Sequence, residues 1–150
     1  MHNSLMPNLM VEDVVKTARF YQEVLGFTFI IGIKNMEGGM SEDNFITELN
    51  DIEFLDWANV KLGGAESDDA EFMFQSRESM VDELPVFKDA KIGASQGLYM
   101  KTDDVDAQYN QLKDKVDVMQ EPVTKFYGMR EWVMKDINGY ILCFGKGLDE

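Results

Sequence analysis

A chain of 150 residues, 45% of them hydrophobic, is sized for one domain with a real core or for two small halves sharing one. Its formal charge of −14 repels phosphate backbones and argues against nucleic acid as a partner, and no apolar run approaches the roughly 20 residues of a membrane span. The single cysteine, Cys143, cannot form an internal disulfide, and Met1-His2-Asn3-Ser4 lacks the basic region and apolar core of a secretory signal, so a cytoplasmic, reducing setting is the expectation.

Residues 5–11 read as a strand. Asp13 stands where a helix N-cap belongs, and Val14, Ala18, Tyr21 and Leu25 follow at helical spacing to make one apolar stripe. Gly26 is placed to stop that helix in the left-handed position beyond its last turn. Residues 27–33 are β-rich. Residues 35–51, with Gly38-Gly39 and several acids, form a loop in which a helical turn is expected near residues 45–49. Strands follow at 57–62, closed by Gly63-Gly64, and at 71–75, with an acidic connection at 65–69 between them. Residues 77–95 carry Pro85 and Gly93 and no clean period, and read as a linker with a short helix around Met80. Then come a strand at 97–102, a helix capped by Asp104 with Val105, Tyr109, Leu112 and Val116 on its apolar face, and strands at 118–123, 131–135 and 140–145. Asn138-Gly139, between the last two, marks a hairpin.

The two helices match. Shifting Asp13, Val14, Ala18, Tyr21 and Leu25 by about 91 positions lands on Asp104, Val105, Tyr109, Leu112 and Val116. Each helix follows one strand and precedes about three, so the order strand–helix–strand–strand–strand is written twice. The organisation expected is a single domain, 1–150, with module one over about residues 1–76, a linker over about 77–95 and module two over about 96–150.

Leu9-Met10-Val11-Glu12-Asp13 followed by Phe20-Tyr21-Gln22-Glu23-Val24-Leu25-Gly26-Phe27 resembles the opening of the vicinal oxygen chelate superfamily, which includes glyoxalase I, extradiol dioxygenases and bleomycin resistance proteins. Asp103-Asp104-Val105-Asp106-Ala107 resembles the start of its second helix. Tyr127-Gly128-Met129-Arg130-Glu131-Trp132 and Asp136-Ile137-Asn138-Gly139-Tyr140 resemble its closing hairpin, where the family's Asp-Pro-Asp-Gly is replaced at the second and third places. The resemblance implies an α+β fold of two βαβββ modules, each curling a mixed sheet into half of an open barrel, with helices outside and ligand in the concave trough. Metal-dependent members draw His or Glu ligands from the first and fourth strands of each module. The match puts Met6, Met73, Gly97 and Cys143 at those places, so no metal and no cofactor is expected. His2, the one histidine, is expected at a frayed terminus, and Cys143 reads as a small packed hydrophobe.

Placing Met6 and Cys143 in the trough, as the resemblance implies, sorts the remaining strand residues by alternation. Asn8 and Met10 join Met6. Glu71 and Gln75 join Met73. Tyr99 and Lys101 join Gly97, and Ile141 joins Cys143. The opposite faces carry Leu5, Leu9 and Val11; Phe72 and Phe74; Leu98 and Met100; Leu142 and Phe144. Trp132 shares its face with Met134 and reads as core, which turns Glu131 into the trough. Trp57 falls on the trough side as a platform, and Tyr127 stands at the hairpin approach. The candidate ligand-binding residues are therefore Asn8, Trp57, Glu71, Met73, Tyr99, Tyr127 and Glu131. Aromatic faces with carboxylates suit a flat or cationic organic molecule. Glu71 and Glu131 equally suit cross-strand pairs with Lys61 and Lys101, and that alternative stays open.

The function expected is metal-free binding of a small organic molecule by a homodimer, as the resemblance to the bleomycin resistance branch implies. The competing expectation is an enzyme of lyase, isomerase, transferase or dioxygenase type that uses a non-standard metal or a trough carboxylate. A third is a protein-interaction module built on the 35–55 loop. No nucleophile–base set and no phosphate-cradling glycine loop is present.

Overall fold

The computed structural model describes residues 5–66, 69–93 and 96–149. His2 lies outside them, as do residues 67–68 of the acidic connection and 94–95 of the linker. The chain divides into two compact units, Met1–Ala90 and Lys91–Glu150.

Unit one begins with β1 (Asn8–Val11) and α1 (Val14–Glu23). The Asp13 carboxylate accepts from the Lys16 N–H at 2.9 Å, which fills one of the orphan donors at the helix start. Val14, Ala18 and Tyr21 are buried as the stripe requires, and Gly26, at φ +77°, turns the chain out of the helix. The buried face of α1 packs on β4 (Trp57–Lys61) and β5 (Glu71–Ser76). At the centre of that contact Tyr21 meets Phe27, Phe72 and Phe74 with ring centroids 4.7–6.1 Å apart.

With β2 (Thr28–Ile33) and β3 (Phe45–Ile46), unit one forms a five-stranded sheet in the order β1-β5-β4-β2-β3, in which only β1 and β5 run parallel. β3 replaces the helical turn expected at residues 45–49. The cause is Asn44, which is buried. Its Oδ1 accepts from the Asn35 N–H at 2.9 Å, and its Nδ2 donates to the carbonyls of Asn35 and Gly39 at 2.8 and 3.0 Å. This staple closes the loop and sets Phe45 against Ile33 in antiparallel register. After β5, Ser76 caps α2 (Arg77–Glu83) through its Oγ, which accepts from the Ser79 N–H at 3.2 Å.

Unit two repeats the plan: β6 (Gly97–Lys101), α3 (Val105–Leu112), β7 (Asp117–Thr124), β8 (Met129–Lys135) and β9 (Ile141–Gly147), in the order β6-β9-β8-β7 with β6 and β9 parallel. Asp104 caps α3 as Asp13 caps α1, accepting from the Ala107 N–H at 2.9 Å. The helix ends at Leu112 and does not reach Val116, because Lys113, Asp114 and Lys115 are all exposed and offer no apolar face to extend it. Trp132 and Met134 are fully buried; the Trp132 ring stacks on Phe144 at 5.1 Å, and its indole N–H donates to Gln108 at 3.0 Å. The turn before β9 spans Asp136 to Gly139. Gly139 has φ +90° and Asn138 has no positive φ, so the hairpin uses the longer, glycine-ended turn rather than a two-residue Asn-Gly turn.

Neither sheet closes into a barrel, and the order β1-β5-β4-β2 is repeated as β6-β9-β8-β7, with β3 added at the edge of the first sheet, which bears out the α+β reading. Among the described residues no helix is long and apolar enough to cross a membrane.

Candidate ligand-binding site

In unit two, β8 carries two side chains of opposite fate next to each other. Trp132 enters the core and Glu131 points to the other face, as alternation requires. Glu131 is only 5% exposed. Its Oε1 accepts from the Tyr99 hydroxyl at 3.0 Å and its Oε2 from the Tyr127 hydroxyl at 2.9 Å. Among the described residues no lysine or arginine forms an ion pair with it. The open alternative, pairing with Lys101, gives way here to the two phenols.

Tyr99 comes from the edge strand β6 and crosses β9 to reach β8. Its path runs over Gly145, which pairs with Lys101 on one side and Glu131 on the other. A Cβ at Gly145 would overlap the Tyr99 hydroxyl and stand 2.7 Å from Cζ and 3.2 Å from Glu131 Cγ, so the glycine makes room for the ring. Tyr127 comes from the turn between β7 and β8, held by Gly128 at φ +79° and by the Lys125 N–H donating to the Met129 carbonyl at 2.7 Å. Tyr99 is 51% exposed, Tyr127 54%, and Phe126, edge-on to Tyr127 at 5.0 Å, fully so. A buried carboxylate thus sits beneath two half-exposed tyrosine rings, with the exposed Phe126 ring against the second.

The surroundings leave electrostatic marks. Burial, then the hydrogen bond to Glu131, pushes the Tyr99 phenol from 10.0 up to about 12. The hydrogen bond to Glu131 raises Tyr127 as well. Cys143 lies next to Tyr99 in the β6–β9 register, and burial followed by the Glu131 charge pushes its thiol to about 11. At neutral pH Cys143 is therefore held as the thiol.

In unit one, β1 and β5 set Asn8 beside Met73, and β4 sets Asn59 on the other side of Met73. Asn8 Nδ2 donates to Gln75 Oε1 at 2.8 Å. The Gln75 amide then donates to Ser79 Oγ at 3.0 Å and Glu83 Oε2 at 2.9 Å, which ties the sheet to α2. Glu71 forms the cross-strand pair with Lys61 at 3.4 Å and accepts from Asn59 at 3.1 Å, so the pairing alternative holds for this carboxylate. Trp57 is half-buried and pairs with Gln75 across the strands. A cavity of about 680 Å³ opens nearby, between Met36, Phe54, Asp56, Ser79 and Glu83. A larger depression of about 1160 Å³ lies beside α1 at Arg19, whose guanidinium donates to the carbonyls of Leu49 and Ile52; it touches none of the candidate residues.

The structure therefore brings Tyr99, Tyr127 and Glu131 together in unit two and gathers Asn8, Trp57, Glu71 and Met73 on the sheet of unit one. Gly145 and Gln75 are the residues that sequence reasoning left out of the site. Strand parity with Cys143 and Met73 was the signal available for each.

The positions at which the family resemblance places metal ligands carry two thioethers (Met6 and Met73), a bare glycine (Gly97) and the Cys143 thiol. This set does not fit a divalent ion that demands imidazole or carboxylate donors. Among the described residues no three His, Cys, Asp or Glu side chains gather closely enough to hold a metal.

Residues 3–144 match the family model of the Glyoxalase/Bleomycin resistance protein/Dioxygenase superfamily, and the chain belongs to that superfamily. No curated protein matches its sequence. Among solved structures it is similar to a protein of unknown function from Agrobacterium tumefaciens (17% identity, 99% of this chain and 96% of that one, TM-score 0.68). It is also similar to a superfamily enzyme from Burkholderia phytofirmans (17%, 92% and 93%, TM-score 0.63). A third similar structure is TnmS3, an antibiotic-binding protein from a Streptomyces species (20%, 98% and 98%, TM-score 0.63). At these identities the likeness is one of fold.

Proposed function

We propose that the protein binds a flat or cationic organic molecule without a metal, and that Glu131 of unit two is the anchor. One observation carries this reading: a carboxylate that is 5% exposed, held by two tyrosine hydroxyls and without an ion-pair partner among the described residues, lies under the half-exposed rings of Tyr99 and Tyr127. Burying an anion without a countercharge is costly. A guest that brings a cation or strong donors offsets that cost, while its flat faces stack on Tyr99, Tyr127 and Phe126. The antibiotic-binding role of TnmS3 is in keeping with the same use of the fold. In unit one, Trp57 and Met73 offer an apolar platform and Asn8 a polar edge, whereas Glu71 is engaged by Lys61.

A homodimer in the cytoplasm belongs to this proposal. The dimer is checked by light scattering on the eluting protein, where a monomer mass contradicts it.

The binding reading is tested by fluorescence titration with a planar aromatic cation such as an acridinium dye. Wild type is expected to bind saturably. Glu131→Gln, which keeps the shape and removes the charge, is expected to weaken binding at least about tenfold, in line with hydrogen bonds to charged groups. Equal affinity in the variant sinks the assignment of Glu131.

A further inference from the structure

We infer that the Tyr99 ring occupies a built seat, floored by Gly145 and ended by Glu131, and that this seat accepts the hydroxyaryl group of a guest when Tyr99 swings out. The inference rests on Glu131 as the anchor and adds the chemical class that it selects.

The argument starts from Gly145. It has no positive φ, so no backbone conformation calls for glycine there. Space does: a single methyl at this position would overlap the Tyr99 hydroxyl. The glycine is therefore explained by the hydroxyl end of the Tyr99 ring passing over β9. That ring is one phenol wide, and its hydroxyl donates to a buried carboxylate. A carboxylate accepts about four hydrogen bonds and Glu131 receives two among the described residues, both from phenols, so its end of the seat is chemically matched to aryl hydroxyls.

Tyr99 is also the member of the set best placed to leave. It springs from the edge strand of its sheet, and half of its surface is already in solvent. Swinging out gives up one hydrogen bond and breaks no strand pairing. The vacated space has a backbone floor, a carboxylate end and Tyr127 still bound to the second oxygen. A guest phenol recovers the lost hydrogen bond, so exchange of one phenol for another is close to balanced. The rest of the guest, stacked on the displaced Tyr99 and on Phe126, then supplies net affinity. An aromatic lacking the hydroxyl leaves Glu131 short of a donor and is rejected.

The test uses the full chain and two probes: 4-methylphenol, which reproduces the tyrosine side chain, and toluene, the same ring without a hydroxyl. In Tyr99→Ala the seat is empty. By calorimetry or ligand-observed NMR, 4-methylphenol is expected to bind this variant at least about tenfold more tightly than wild type, and toluene at least about tenfold more weakly than 4-methylphenol. Adding Gly145→Val fills the seat and is expected to abolish the gain. Gly145→Ala in the otherwise unchanged chain covers the case in which Tyr99→Ala fails to fold. It is expected to displace the ring and speed nitration of Tyr99 several-fold. No gain for 4-methylphenol in Tyr99→Ala, equal binding of toluene, or a Gly145 substitution without effect overturns the seat. If the acridinium dye meanwhile still binds wild type in a Glu131-dependent way, the seat fails alone; if the dye does not, the anchor fails with it.

Discussion

At the residue scale, Glu131 governs its neighbours. The Tyr99 phenol has its folded value raised to about 12 from 10.0, so the stability that its neutral form contributes is complete below about pH 10 and is lost as pH rises through about 12. Tyr127 shifts in the same direction. Tyrosinate absorbance followed against pH is expected to show both phenols titrating late. Glu131→Gln is expected to return Tyr127 furthest toward its ordinary value, because the bond to Glu131 is the main cause there. Tyr99 keeps the part due to burial. An unchanged titration curve in the variant contradicts the geometry. Cys143 follows the same logic: with its thiol at about 11, alkylation at pH 8 is expected to be several-fold slower than for a free cysteine and faster in Glu131→Gln. Alternation along β8 already pointed Glu131 away from Trp132 and toward Tyr99 and Tyr127. Their meeting at one carboxylate depends on Gly145, whose face strand parity with Cys143 could assign but whose role, making room for the Tyr99 ring, shows only in the packing.

At the element scale, local chemistry fixes the caps and turns. Asp13 and Asp104 each accept a helical N–H, and replacing either by Ala is expected to cost about 1 kcal/mol in denaturant unfolding. Asp136 does more. It is buried, and its Oδ1 accepts from the N–H groups of both Asn138 and Tyr140 at 2.8 and 2.9 Å. Asp136→Ala strands those donors and is expected to cost roughly 1–3 kcal/mol, while Asp136→Asn, which keeps an acceptor oxygen, costs less. Equal losses in the two variants contradict this role. The departure from the family's Asp-Pro-Asp-Gly leaves the turn intact because it spares the two positions that do this work, Asp136 and Gly139. The 35–55 loop was less legible. Phe45 and Ile46 have the composition of a helical turn or a strand alike, and the choice is made by the side-chain hydrogen bonds of Asn44 to Asn35 and Gly39, which no periodicity reveals. The network from Asn8 through Gln75 to α2 was hidden for the same reason.

At the scale of the whole molecule, the repeat carries the fold. Two capped helices, each preceded by one strand and followed by a run of others, led to the two sheets, and each places its first strand parallel to its last and edges the sheet with it. That arrangement needs only helix period, strand parity and turn residues, all of which are written locally. The ligand is not written that way: charge of −14 and exposed rings narrow its class without naming it. The central claim is that an organic guest binds through Glu131 and without a metal. Its most direct test is calorimetric titration of the acridinium dye into protein stripped with a chelator, with metal content measured on the same sample. One-to-one binding that survives stripping and weakens in Glu131→Gln is the result predicted. Binding that disappears with the metal and returns when a divalent ion is restored contradicts it.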